Sequence, residues 1–368
     1  MSTALKCIYS PKFYDRFSDI VKETIPLFDK KRFINLIFDK SWETRELKDR
    51  MRHTATVMHN FLPKNFEKAT KTIEKIITRL RQNEFTGTSV EFMFFPDYIE
   101  VYGLDDFETS VNTFQFVTQF TSCEFAVRPF IIKYREQMIK QMYNWSFHEN
   151  HKVRRLASEG ARPRLPWAIA IPELKKNPTP ILPILENLKN DPSECVRRSV
   201  ANNLNDIAKD NPNIVIEIAK QWKGQSKETD ALIKHSCRTL LKQGNPDILQ
   251  YFELANNPKI EVSLLKIKTP KISIGEGLEF SFTIQNTDKK ILTVRLEYGI
   301  HYLRQNGQLT KKVFKISERQ IRPTEIINIQ RKQSFRIITT RKFYAGQQKL
   351  SIIINGQERE ISKFELTE

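Results

Sequence analysis

A heptapeptide that returns at a set interval constrains this chain more than any other feature of its sequence. Val153-Arg154-Arg155-Leu156-Ala157-Ser158-Glu159 aligns with Val196-Arg197-Arg198-Ser199-Val200-Ala201-Asn202 after 43 residues. A weaker copy, Ile233-Lys234-His235-Ser236-Cys237-Arg238, follows 37 residues later. Turn-formers precede the later copies: Asn190-Asp191-Pro192 and Gln225-Ser226-Lys227. A period near 40, in which a turn gives way to a helix opening on Val-Arg, is the signature of HEAT-like repeats. Such a unit cannot bury its apolar face alone. The repeats therefore stack into a curved α-solenoid whose concave face is a groove for a rod-like partner.

The hydrophobic period supports this reading up to about residue 260 and then changes. In residues 66–82, Ile73, Ile76, Ile77 and Leu80 recur at helical spacing, and similar stripes run through 13–28, 44–61, 111–120, 126–145 and 212–222. From about 261 the period becomes two, in KISIGEGLEFSFTIQN, ILTVRLEYGIHYL, INIQRKQSFRII and QKLSIIINGQEREISKF. Asp288-Lys289-Lys290, Asn306-Gly307 and Asn355-Gly356 punctuate these runs, and Asn-Gly between alternating segments predicts a hairpin. About seven strands in this segment imply an antiparallel immunoglobulin-like β-sandwich. The fold class is thus multidomain α plus β: HEAT-like repeats over 1–258, a boundary near Asn256-Asn257-Pro258, and a sandwich over 261–368.

Charge and cysteine content narrow the function. The net charge is +17, of which +9 falls on residues 261–368 and +8 on the much longer helical part. Such a balance favours a polyanionic partner and points to the β domain as one of its contacts. Four scattered cysteines (Cys7, Cys123, Cys195, Cys237) with no C-x-x-C pair exclude a zinc ribbon, an iron–sulfur ligation pattern and a disulfide-stapled fold. The first residues lack the apolar core of a signal peptide, and no apolar run is long enough to span a bilayer. The expectation is a soluble, cytoplasmic protein with no membrane partner. His148 and His151 stand at metal-pair spacing, but a loop opening a helix explains them better, and no metal or cofactor is expected.

The densest chemical signal is VRRLASEGARPRLPW, residues 153–167. Gly160 is placed to end a helix, and Pro163 and Pro166 stiffen the loop that follows. Arg154, Arg155, Arg162 and Arg164 surround the carboxylate of Glu159, and guanidinium groups suit forked contacts to phosphate. The first Arg of each repeat also has a structural use, as in a pair of Arg197 with the turn residue Asp191. Stacked repeats would align Arg155, Arg198 and His235 in one row and Glu159 with Asn202 in the next. Lys234 and Arg238 add charge to the third copy, so Arg154, Arg155, Arg162, Arg164, Arg198, Lys234 and Arg238 form the candidate phosphate-contact set. Glu124 lies in an apolar run, where a carboxylate is costly unless it is paired or faces a cleft; Arg128, four residues on, is an obvious partner. Asp206 follows Asn202 by about one turn. Trp42, Trp145 and Trp222 read as core, whereas Trp167, after a proline in a polar loop, suits stacking on a sugar or base.

Residues 41–63, 120–131, 153–167 and 191–212 resemble the AlkC branch of the AlkC/AlkD DNA alkylation-repair family, and a subset of AlkC-like proteins carries a C-terminal immunoglobulin-like domain. The resemblance implies a HEAT-like monofunctional DNA glycosylase that removes cationic N3-alkylated bases, such as 3-methyladenine and 3-methylcytosine, without flipping the base into a pocket. Carried onto this chain, it implies catalytic carboxylates at Glu124, Glu159 and Asp206, with Trp167 as the aromatic beside the damaged nucleotide. The chemistry is consistent: a cationic base leaves without a general acid, so carboxylates need only stabilise an oxocarbenium-like sugar and position water. The expected partner is alkylated double-stranded DNA, and the expected state a monomer. Two alternatives remain, a non-catalytic HEAT scaffold that binds DNA or protein and an adaptor for acidic surfaces.

Overall fold

The computed structural model describes residues 5–86, 90–254, 258–338 and 341–368; Asn256 and Asn257 of the expected boundary lie outside them. Among the described residues there are sixteen α-helices and eight strands. The helices are α1 (Pro11–Thr24), α2 (Lys30–Ile37), α3 (Leu47–His59), α4 (Phe66–Gln82), α5 (Phe94–Gly103), α6 (Phe107–Val117), α7 (Val127–Tyr134) and α8 (Glu136–Trp145). They continue as α9 (His151–Gly160), α10 (Pro172–Lys176), α11 (Leu182–Leu188), α12 (Glu194–Ile207), α13 (Pro212–Trp222), α14 (Lys227–Ser236), α15 (Arg238–Gln243) and α16 (Pro246–Tyr251). The strands are β1 (Ile260–Ile267), β2 (Lys271–Ser273), β3 (Gly277–Asn286), β4 (Leu292–Leu303), β5 (Leu309–Ile321), β6 (Ile326–Ser334), β7 (Gly346–Ile354) and β8 (Gln357–Thr367). Two compact units result, residues 1–215 with 222–236 and residues 216–221 with 237–368. No described helix is long and apolar enough to cross a membrane.

In the first unit the sequence stripes become buried faces. Ile73, Ile76, Ile77 and Leu80 of α4 are all essentially inaccessible, and Asn65 caps that helix by accepting from the Lys68 N–H. The stripe over 126–145 is two helices rather than one: Arg135, at φ +43°, breaks it between α7 and α8. Neither Gly nor Pro stands at the break, so no sequence signal marked it. α9 packs on α12, and α12 on α14. Val153 and Val196 are the third residues of their helices and both fully buried, so the 43-residue repeat is structural. The third copy is out of step, because Ile233 is the seventh residue of α14, not the third.

In the second unit β1, β3 and β6 form one sheet, and β2, β8, β7, β4 and β5 the other. Alternation is regular in β3, where Leu278, Phe280, Phe282 and Ile284 point into the core. Asn355 and Gly356, at φ +49° and +79°, form the two-residue β7–β8 hairpin, and Asn306-Gly307 turns β4 into β5. Two refinements follow. KISIGEGLEFSFTIQN is broken into β2 and β3, and β2 joins β8 in parallel, so the sandwich is not wholly antiparallel. The helices α15 and α16 are compact with this sandwich rather than with the repeats. A methyl group on Gly356 would lie 2.2 Å from the Gly244 Cα at the end of α15. Only glycine lets the backbones approach so closely.

Candidate active site

α9 is anchored at its start before it presents any chemistry. Asn150 accepts from the Lys152 N–H as N-cap, and His148 Nδ1 accepts from the Asn150 N–H, so these residues shape the entry loop. Arg154 forks onto Asp191, with Nε and Nη2 at 2.6 and 3.0 Å from its two carboxylate oxygens, and also donates to the His148 and Glu149 carbonyls. The turn Asp thus pairs with the Arg of the preceding repeat; Arg197 instead donates to the backbone carbonyls of Asp191 and Pro192. At the far end Gly160 is helical, and a Cβ there would lie 2.7 Å from Val127 and 2.9 Å from Met142. Close packing, not a left-handed helix end, requires this glycine.

That anchoring brings three carboxylates into a row with guanidinium groups between them. Arg155 Nη1 donates to Glu124 at 3.2 Å and to the Ser122 hydroxyl at 3.0 Å, while its Nη2 lies 4.0 Å from Glu159. Arg162 Nη1 donates to Glu159 at 2.6 Å and its Nε to Asp206 at 2.8 Å. The order is Glu124, Arg155, Glu159, Arg162, Asp206. Ser199 of α12 donates to the other Glu159 oxygen at 2.7 Å, and Lys209 to the other Asp206 oxygen at 2.8 Å. Glu159, Arg162 and Asp206 are 6%, 7% and 1% exposed. Burial works against the charge of Arg155 and of Arg162, but the facing carboxylates outweigh it and leave both guanidinium pKa values above the ordinary one.

The loop beyond α9 carries the aromatic residue. Its turn closes through the Ala168 N–H donating to Leu165 O, with Pro166 and Trp167 at the two central positions. Trp167 has φ +65°, the conformation that a type II turn normally assigns to glycine. Its side chain is 58% exposed, whereas Trp42, Trp145 and Trp222 are buried as expected of core. Lys48 of α3 donates to the Trp167 carbonyl at 2.9 Å and sits over the Phe125 ring, beside Glu124. Arg128 does not partner Glu124. The i, i+4 argument needs both residues in one helix, and α7 begins only at Val127. Arg128 turns inward, to the carbonyls of Gly160, Arg162 and Ile169.

The remaining basic candidates divide by accessibility. Arg164 forks onto Asp210, so Arg154, Arg162 and Arg164 all spend their guanidinium groups on carboxylates of this chain. Arg198 is exposed beside Glu194 and shares with Arg197, Lys227 and His235 a groove of about 430 Å³ between α12 and α14. His235 Nε2 lies 3.0 Å from Asn202 Oδ1. Lys234 is exposed near the end of α14, and Arg238 is half-buried where α15 opens. Within the second unit, Arg304, Lys312, Arg341 and Lys342 line a cleft of about 650 Å³ with Tyr302 and Tyr344. Among the described residues no three His, Cys, Asp or Glu side chains are grouped as metal ligands. Sequence reasoning missed Ser199 and Lys48 and gave Arg128 the wrong partner. Ser199 had a signal: it replaces the buried Leu156 of the first repeat copy.

Comparison with known proteins places the family and the fold. Residues 100–243 match the family described as DNA alkylation repair enzyme, and residues 261–368 match the C-terminal Ig-like domain of the uncharacterised protein YhaZ. The uncharacterized protein YhaZ of Bacillus subtilis (strain 168) is 43% identical over 363 residues, 98% of this chain and 99% of its own. The solved structure of Pseudomonas fluorescens alkylpurine DNA glycosylase AlkC, bound to DNA containing an abasic site analog, is 31% identical and covers 100% of both chains with a TM-score of 0.91. A helical-repeat unit joined to an immunoglobulin-like sandwich, matched along its whole length, identifies the chain as a member of the AlkC-type DNA alkylation-repair glycosylase family.

Proposed function

We propose that this protein is a monofunctional DNA glycosylase that hydrolyses the N-glycosidic bond of cationic N3-alkylated bases, 3-methyladenine and 3-methylcytosine, in duplex DNA. The observation that carries the reading is the alternating row Glu124, Arg155, Glu159, Arg162, Asp206, next to a loop that holds an exposed tryptophan in a strained turn. Strain of this kind persists where the surrounding structure imposes it for a purpose. An alkylated N3 makes the base a good leaving group, so the site needs no proton donor. Fixed carboxylates stabilise the developing oxocarbenium and one of them positions water, at the large advantage that preorganised charge has over bulk solvent. Trp167 stacks on the damaged nucleotide, which stays outside any enclosing pocket.

Phosphate contacts fall to the basic side chains that face solvent: Arg198 and Lys234 on the repeats, and the cleft of Arg304, Lys312, Arg341 and Lys342 on the sandwich. Arg154, Arg162 and Arg164 act by shaping the site through their carboxylate partners. The enzyme works as a cytoplasmic monomer without a cofactor. A non-catalytic DNA-binding scaffold is favoured by one observation: Glu159 and Asp206 are each already satisfied by internal donors.

Single-turnover base release from methylated duplex DNA separates the two. Wild type releases 3-methyladenine, and Glu159→Gln loses at least about a hundredfold in rate, the scale of one preorganised electrostatic contact, while binding abasic-site DNA normally. Absence of release by wild type, with binding retained, makes the chain a scaffold.

A further inference from the structure

Arg128 is an arginine with no solvent exposure, and among the described residues no carboxylate lies within ion-pair distance of it. Its acceptors are three backbone carbonyls: Nε donates to Ile169 at 2.5 Å, and Nη1 to Gly160 at 2.9 Å and Arg162 at 2.7 Å. Nη2 is buried with no hydrogen-bond partner. A buried cation bound only to neutral acceptors, with one donor unsatisfied, is costly unless the constraint it imposes is needed. Burial draws its pKa down to about 10, with Arg162 adding to the fall and Asp206 and Glu159 opposing it, so the guanidinium stays charged at neutral pH.

The three carbonyls are not scattered. Gly160 ends α9 one residue after Glu159; Arg162 is the guanidinium between Glu159 and Asp206; Ile169 lies two residues beyond Trp167. One rigid fork therefore closes both ends of the loop that contains the strained turn. Lys48 also holds this loop, at the Trp167 carbonyl. The geometry points to Arg128 as a positioning residue: it fixes the 160–169 loop so that Trp167 stays in its left-handed conformation, held in register with Glu159 and Arg162. Lysine cannot replace it, because an ammonium reaches the Gly160 and Arg162 carbonyls or the Ile169 carbonyl but lacks a fork to hold both.

This inference rests on the glycosylase reading for its rate consequences, and the test includes a readout that does not. Full-length wild type, Arg128→Lys, Arg128→Gln, Trp167→Ala and Arg128→Lys/Trp167→Ala are compared. Of the four tryptophans only Trp167 is exposed, so the fast component of time-resolved tryptophan anisotropy reports its loop. Arg128→Lys is expected to at least double the amplitude of that component and to slow base release tenfold or more, with affinity for abasic-site DNA changed less than threefold. In the Trp167→Ala background the same substitution slows release less than twofold, because both act through one loop. Unchanged anisotropy, or full additivity of the two rate losses, overturns the proposal. So does unfolding of both Arg128 variants, which would make the side chain a general core staple. If wild type releases no base, the glycosylase reading fails, and the anisotropy alone decides on Arg128.

Discussion

Arg162→Ala tests whether the buried row is held together by charge. Arg162 reaches Asp206 and Glu159 at 2.8 and 2.6 Å. Without it, Glu159 keeps Ser199 and a 4.0 Å approach from Arg155, and Asp206 keeps Lys209. Two carboxylates separated by the width of one guanidinium, roughly 5 to 6 Å, repel by about 3 kcal/mol at an effective dielectric near 20. Breaking a buried pair by removing one partner costs about 3 to 5 kcal/mol, so a destabilisation of that size is expected. It is a large part of the ~5–15 kcal/mol typical of a folded domain. Urea unfolding of the full chain, followed by the helical circular dichroism signal, measures it. Because the cost lies in stranded charge, Arg162→Met should lose nearly as much as Arg162→Ala. Adding Asp206→Asn to Arg162→Ala should restore about 2 to 3 kcal/mol. A loss below about 1 kcal/mol for Arg162→Ala, or a double variant less stable than the single one, refutes the electrostatic account.

Further predictions follow from the same geometry. Trp167→Gly relieves a left-handed conformation worth about 1 to 2 kcal/mol and should leave the melting temperature unchanged or higher while slowing base release to a still measurable rate; a clear loss of stability would show that the indole is core. Gly356→Ala should cost about 2 to 5 kcal/mol, since it adds backbone overlap with Gly244 to the cost of a positive φ, whereas Gly307→Ala, with open space around it, should cost only about 1 to 2; equal losses in chemical denaturation would count against the close approach. Ellman's reagent on the native protein should titrate Cys7 and Cys195 and reach all four thiols only after unfolding, since Cys123 and Cys237 are buried and burial pushes the Cys237 thiol up to about 12. Arg164 holds the Asp210 carboxyl below the usual carboxylate range. A depressed carboxyl pKa stabilises the fold above its unfolded value, near 4, and the contribution fades as pH falls through the folded value; Asp210→Asn should flatten the acid side of the stability profile, and an unaltered slope below pH about 4 would count against the pair.

What sequence reasoning reached, and what it missed, divides on locality. Period and turn chemistry are local, so the repeat, the sandwich and both Asn-Gly hairpins were legible. Glu124 and Glu159 stood out because a charge in an apolar run, or amid four arginines, is anomalous by itself; Asp206 had no such signal, and its grouping with them rested on the family resemblance. Pairing was not. Arg128 was assigned to Glu124 by helical spacing, but the helix starts between them; the true partner, Arg155, comes from α9. Ser199 could have been found from the repeat, as a polar residue where the first copy carries buried Leu156. The break at Arg135 and the grouping of α15 and α16 with the sandwich depend on contacts that no local pattern encodes.

The contact between Gly244 and Gly356 also sets an order of events during synthesis. Gly356 emerges more than a hundred residues after Gly244, roughly ten seconds later at ordinary translation rates. For that interval α15 exists without the hairpin that will seal its end, while the repeats before it can already be complete. The close backbone approach at Gly244 cannot form until that hairpin is made. A nascent chain stalled before that hairpin would therefore have a finished repeat unit and an unfinished second unit, so the close approach of α15 to the β7–β8 turn is among the last features of that unit to mature.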